Sequence, residues 1–159
     1  MSKIKTFEEI ERIARDLKKD KKKIATTNGV FDILHLGHVR YLEEAKRMGD
    51  VLIVGINSDA SVRKLKGKNR PINSENDRTE VLAALEVVDY IVIFKEDNPI
   101  KLLSLIEPDV HVKGGDYKIG KIVEKNIVEK NKGRVVLVQE EKGFSTTSLI
   151  KRILTTYAK

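Results

Sequence analysis

Two histidines three positions apart, His35 and His38, with Gly37 between them, are the residues of this chain best suited to act on phosphate. They close the run Thr27-Asn28-Gly29-Val30-Phe31-Asp32-Ile33-Leu34-His35-Leu36-Gly37-His38, where a β-rich segment gives way to a helical one. The first amides of a helix have no partner and carry the positive end of its dipole, which favours an anion. A glycine there lets phosphate approach the backbone closely, and imidazoles can donate to its oxygens. The same pair fits two other roles. It could ligate a metal, with Asp32 the one further ligand nearby, or it could cap the helix.

Two more polar, glycine-containing segments occupy equivalent places. In Lys113-Gly114-Gly115-Asp116-Tyr117 the glycines allow backbone to lie against a flat base and Lys113 can reach a phosphate; a tight turn explains the glycines equally well. In Gly143-Phe144-Ser145-Thr146-Thr147 three hydroxyls and free amides open the last helix, with an ordinary N-cap as the plain alternative. The run Arg63-Lys64-Leu65-Lys66-Gly67-Lys68-Asn69-Arg70 carries five basic residues in eight, which as a charge run suits either a solvated loop or a nucleic-acid patch.

These segments need a scaffold that brings them together, and the hydrophobic pattern supplies one. Thr6-Phe7-Glu8-Glu9 is a capping box for a helix to about Lys18. Strands are expected at Ile24–Thr27, ended by Asn28-Gly29, and at Val51–Ile56, Tyr90–Phe94, Asp109–Val112 and Val135–Val138. Helices are expected from Gly37 to Met48 with Gly49 as stop, from Ser74 to about Leu85, from Asn98-Pro99, over about Ile122–Asn131, and from Ser145 to about Tyr157. The continuous apolar run at Val51–Ile56 marks a parallel strand covered on both faces. Alternating strands and helices give an α/β fold: a Rossmann-like, doubly wound, five-stranded parallel sheet with helices on both faces. In such sheets ligands lie beyond the carboxyl ends of the strands, where all three glycine-containing segments should meet.

Composition narrows the function. The 159 residues, 40% hydrophobic and 35% charged, suit one folded domain over 1–159. The net charge of +7 favours anionic partners, but there is no tryptophan and only four Phe and four Tyr, so the stacking platform of a nucleic-acid binder is missing. Much of the charge reads as a lysine-rich solvated surface. No apolar run is long enough for a membrane span, no signal-peptide core follows Met1, and the absence of cysteine excludes disulfides. Those absences lead to the expectation of a cytoplasmic protein.

The run from Asn28 to His38 resembles the HxGH signature of the cytidylyltransferase-like nucleotidyltransferase superfamily, and the similarity extends from about Ile24 to Ile153. The Lys113–Tyr117 and Gly143–Thr147 segments look most like the heptose 1-phosphate adenylyltransferases, in the free-standing form, since no sugar-kinase domain accompanies them. Glycerol 3-phosphate cytidylyltransferases carry an arginine shortly before their Gly-x-Ser-Thr-Thr; Glu140-Glu141-Lys142 has none. The resemblance implies transfer of AMP from ATP to a phosphorylated sugar without a covalent intermediate, with Mg²⁺ bound through the nucleotide phosphates. It implies His35 and His38 as the catalytic pair. Nucleotide contacts would come from Thr27, Asn28, Gly29, Phe31, Gly37, Lys64, Lys66, Lys113, Gly114, Gly115, Asp116, Ser145, Thr146 and Thr147. Arg78 matches a phosphate-reaching arginine of the family, unless it forms a surface ion pair with Glu75, and Asp32 would serve the acceptor. Family members are commonly dimers, so a homo-oligomer is expected.

Overall fold

The computed structural model describes residues 2–115, 122–139 and 143–158. Asp116 and Tyr117 lie outside them, as does the Glu140–Lys142 stretch. In chain order the elements are β1 (Ile4–Lys5), α1 (Phe7–Lys19), β2 (Ile24–Gly29), α2 (Leu36–Arg47), β3 (Val51–Asn57), α3 (Asp59–Lys66), α4 (Glu75–Ala83), β4 (Tyr90–Phe94), α5 (Ile100–Ile106), β5 (Val110–Gly114), α6 (Lys125–Lys130), β6 (Arg134–Val138) and α7 (Thr146–Tyr157). The strands form a parallel sheet in the order β1-β4-β3-β2-β5-β6. From β2 the chain winds first through β3 to β4, then returns to place β5 on the other side. The crevice at the carboxyl ends of β2 and β5 is therefore the switch point where such sheets bind ligands.

The period-two alternation of the strands decides which helices cover which face. Along β3, Leu52, Val54 and Ile56 join Leu42 and Ala45 of α2 and Leu82 of α4 in one core. Ile53 points the opposite way and packs with Ile10 and Ala14 of α1 and Leu102 and Ile106 of α5. Thr6 caps α1 as its pattern required: its hydroxyl accepts from the Glu9 amide at 3.2 Å, and the Glu9 carboxylate accepts from the Thr6 amide at 2.9 Å.

Four details depart from the sequence reading. The sheet has six strands, because Ile4 and Lys5 pair in parallel with Ile91 and Val92; two residues are too few to show a pattern. Strand β2 continues through Asn28-Gly29, which align with Gly55 and Ile56 of β3 instead of turning. The basic run begins as a helix, since the Ser58 hydroxyl accepts from the Ser61 amide at 3.2 Å and starts α3, which ends at Gly67. Gly49 does more than end a helix. A Cβ there would lie 2.8 Å from both the Ala25 amide nitrogen and the Lys23 carbonyl oxygen, so only glycine lets α2 return this close to β2.

Candidate active site

The reaction centre suggested by the histidine pair begins with the turn between β2 and α2. Phe31 takes a left-handed backbone conformation (φ 48°), unusual for a bulky residue, and its buried ring lies 5.3 Å from the His38 ring. His35 and His38 stack on each other, centroids 3.8 Å apart and planes inclined by 22°. Gly37 makes this possible: a Cβ there would sit 2.9 Å from Phe144 Cβ and 3.1 Å from His35 Nδ1. The glycine thus opens room for its own neighbours as well as for a ligand.

Both imidazoles are held neutral. Burial pushes His38 down to about 4, and the neighbouring His35 adds to that, while a hydrogen bond with the Ile33 backbone works in the opposite direction. Burial also lowers His35. The Nδ1 atoms of both rings are buried and have no hydrogen-bond partner. His35 occupies the N-cap position of α2 but makes no capping bond through its side chain, so the helix end stays open. Among the described residues no three His, Asp or Glu side chains come together as a cation site. Of the three roles the pair could play, the geometry favours the anion: a phosphate would meet polar ring atoms, free amides and a helix dipole together.

Two cavities adjoin the pair. The smaller, about 250 Å³, lies over the α2 N-terminus and is lined by Gly29, His35, Gly37, Tyr41, Phe144 and Ser145 among others. The larger, about 610 Å³, extends toward Asn57, Lys66, Asp97, Asn98, Lys113 and Glu124. Asn28, Gly29, Val30, Phe31, His38, Gly114 and Thr146 border both, so His38 stands on the boundary between them. Thr147 faces only the larger one.

The remaining candidates divide sharply. Lys113 is almost fully enclosed, with its ammonium donating to Asn28 Oδ1 and Glu124 Oε1, both at 3.0 Å. Thr27 is buried, its hydroxyl 2.7 Å from that of Tyr41, which donates on to the Val112 carbonyl at 2.9 Å. Ser145 caps α7, its hydroxyl accepting from the Ser148 amide at 3.0 Å, so the plain reading of that residue holds whatever else it does. Gly115 is exposed and borders neither cavity. Lys66 lines the larger cavity, whereas Lys64 points outward to Asp97 at 3.4 Å with more than two-thirds of its side chain exposed.

Arg78 and Asp32 require correction. Arg78 neither reaches the cavities nor pairs with Glu75 at the surface. Its side chain is fully buried, donating to the carbonyls of Val30 (2.5 Å), Asn57 (2.9 Å) and Asn73 (3.2 Å) and to Asp59 Oδ1 (2.8 Å). It is a strut that ties three loops beneath the site. Asp32 borders the larger cavity, but its carboxylate is committed to the protein: it accepts from the amides of Ile72 (2.8 Å) and Asn73 (2.9 Å) and from Arg70 Nε (2.5 Å). Burial alone would raise this carboxyl, yet the two amides and the guanidinium outweigh it and hold it below the usual range. Asp32 therefore fixes the 70–73 loop over the site.

Sequence reading missed Glu124, Tyr41, Arg70 and Phe144. Arg70 and Phe144 stood inside recognised segments, but nothing in the local sequence of the other two marks them; each joins the site through a partner distant along the chain. His111 was missed for a different reason: it is wholly buried within the sheet, 2.9 Å from Thr26 Oγ1, and faces neither cavity.

The cytidylyltransferase-like family profile matches residues 26–156, and so contains every segment just described except the tip of α7. The chain is 55% identical over 150 residues to Bifunctional protein HldE of a Nitratiruptor species, and 57% identical over 152 residues to that of Aliarcobacter butzleri. These alignments cover 94% and 96% of this chain but 32% and 31% of those proteins, so the chain spans about a third of their length. Among solved structures, the lipopolysaccharide core biosynthesis protein from Thermoplasma volcanium GSS1 aligns with a TM-score of 0.63 at 34% identity, over 77% of this chain and 99% of that one. A pantoate-beta-alanine ligase from Francisella tularensis shares the fold alone, with a TM-score of 0.63 at 18% identity over 96% of this chain and 73% of its own. The matched span holds the stacked histidine pair, the open helix end and the switch point of the sheet, and the chain belongs to the cytidylyltransferase-like family.

Proposed function

We propose that this protein transfers AMP from ATP to a heptose 1-phosphate, giving ADP-heptose and pyrophosphate. The observation that carries the reading is the stacked pair His35–His38, with both Nδ1 atoms unpartnered, at the uncapped start of α2, in a chain more than half identical to proteins called HldE. The triphosphate occupies the smaller cavity, over the α2 amides and against Ser145 and Thr146 of α7. The acceptor occupies the larger cavity, where Lys66 and Arg70 offer positive charge. Its phosphate oxygen attacks the α-phosphorus in line, a new P–O bond forms, and the bond to the bridging oxygen breaks with pyrophosphate leaving. A phosphate monoester is already anionic at neutral pH, so no strong base is required. His38, on the boundary of the cavities, donates to the crowded α-phosphate as negative charge concentrates there.

An arriving anion raises the pKa of an imidazole, so ATP draws a proton onto a site that is neutral when empty. Mg²⁺ bound through the nucleotide phosphates would neutralise part of their charge as pyrophosphate leaves.

The test is pyrophosphate release from each of the four nucleoside triphosphates with heptose 1-phosphate, glycerol 3-phosphate or FMN. ATP with heptose 1-phosphate should be fastest. Fastest release with CTP and glycerol 3-phosphate, or with ATP and FMN, would reassign the substrates within the fold. No release with any pair would leave a nucleotide-binding protein without this chemistry.

A further inference from the structure

One group on the wall of the larger cavity is left unused by phosphate binding. Glu124 is only 4% exposed, yet it borders that cavity. Its Oε1 accepts from the Lys113 ammonium at 3.0 Å, and Asn28 Oδ1 holds the same ammonium at 3.0 Å from the other side. Among the described residues Oε2 of Glu124 has no hydrogen-bond partner. Oε2 is not among the buried unpartnered atoms, so it is open to the cavity and free to accept from a ligand there. A carboxylate only accepts hydrogen bonds and repels phosphate, so the ligand group that suits Oε2 is a hydroxyl. The rest of the cavity agrees: Asn57, Asp97 and Asn98 add acceptors and amides, while Lys66 and Arg70 supply cations. A cavity with one cationic part and one acceptor-rich part matches a phosphorylated polyol.

We propose that Glu124, fixed by Lys113 and Asn28, is a specificity-determining residue that accepts hydrogen bonds from sugar hydroxyls of the ligand in the larger cavity. The inference rests on the transfer reaction proposed above. Two sugars could supply the hydroxyls, the ribose of ATP and the ring of the acceptor, and the experiment separates them. Turnover is measured for ATP against its 2′-deoxy and 3′-deoxy analogues, and for heptose 1-phosphate against ring-deoxy sugar 1-phosphates. Each series is run in the wild type, Glu124→Asp and Glu124→Gln. Aspartate keeps the charge facing Lys113 but withdraws the oxygens by one methylene; glutamine keeps the length without the charge.

Deleting the recognised hydroxyl should raise KM of the wild type by about tenfold or more, as expected for a hydrogen bond to a charged group. In both variants that penalty, taken as the ratio of KM for the deoxy analogue to KM for the parent substrate in the same protein, should shrink to a few-fold. A penalty confined to the ATP series assigns the ribose; one confined to the acceptor series assigns the acceptor. No penalty in the wild type for any hydroxyl, or equal penalties in all three proteins, overturns the inference, and the first result needs no variant to fold. Failure of the wild type to release pyrophosphate with any sugar phosphate would overturn the transfer reaction instead. Calorimetric binding of the ATP analogues would still read the ribose arm.

Discussion

Helices α2 and α7 both bring their N-termini to the smaller cavity, and they are built in opposite ways. Helix α2 leaves its first amides without a side-chain cap, and its body is anchored by Leu42 and Ala45, both fully buried. Helix α7 is capped by Ser145, has no buried residue, and leaves Ile153, Leu154 and Tyr157 exposed. A helix held by core packing can leave its polar end open for a ligand. One without such packing must satisfy its own end to persist. The uncapped terminus is thus the one suited to chemistry, and the capped terminus suits a supporting contact.

The first way to break this contrast is to loosen the anchor. Leu42→Ala should destabilise the whole protein by about 2–5 kcal/mol, the range for such cavities, and lower activity with it. A melting temperature that barely moves would show that α2 is not held by its buried face. His38→Ala tests the open end itself. Turnover should fall about 10²–10³-fold, as on losing a donor to developing charge, with a much smaller change in KM for ATP.

The same variant carries a sign for pH. Because His38 titrates near 4 in the fold and near its ordinary 6.5 when unfolded, its neutral form supports the fold above 6.5. That support is lost as pH falls toward 4. Wild-type stability should drop across this window more steeply than that of His38→Ala, as read by denaturant midpoints at each pH.

The histidine pair was visible in the sequence because it is local: four consecutive residues state it. The sheet was visible because Val51–Ile56 and its counterparts carry their pattern within a few residues. What escaped was set by distance along the chain. Lys113 meets Asn28 across 85 positions and Asp32 meets Arg70 across 38, and no periodicity records such pairings. Arg78 misled for a related reason: an arginine in the first turn of a capped helix looks the same whether it faces solvent or is buried beneath three loops. Helix α3 was hidden by its own lysines, which suggested a loop until Ser58 was seen to cap it.

Smaller effects should sharpen the contrast between the two termini. His35→Ser installs a cap where α2 has none, and should stabilise the protein by about 0.5–1 kcal/mol while reducing ATP affinity. Opposite signs in melting and binding would be the signature of an end kept open for ligand; loss of both would mean that His35 is structural. Ser145→Ala should cost about 1 kcal/mol within α7 alone. Hydrogen exchange should then quicken in α7 without a matching change in α2, and KM for ATP should rise only a few-fold. A fall in global stability would show that α7 is more firmly attached than its exposed surface implies.

The two-residue strand β1 also protects the molecule from its own copies. Its partner β4 reads Tyr90-Ile91-Val92-Ile93-Phe94, a five-residue run with high β-propensity, no charge and no proline. A run of that composition on an open sheet edge is a template for intermolecular β-pairing. Ile4 and Lys5 occupy the hydrogen-bonding edge of Ile91 and Val92, and the Lys3 ammonium closes the corner on the Leu85 carbonyl at 2.8 Å. These few residues add little to the core, yet they act as gatekeepers against aggregation. Their removal should be felt in solubility well before it is felt in catalysis.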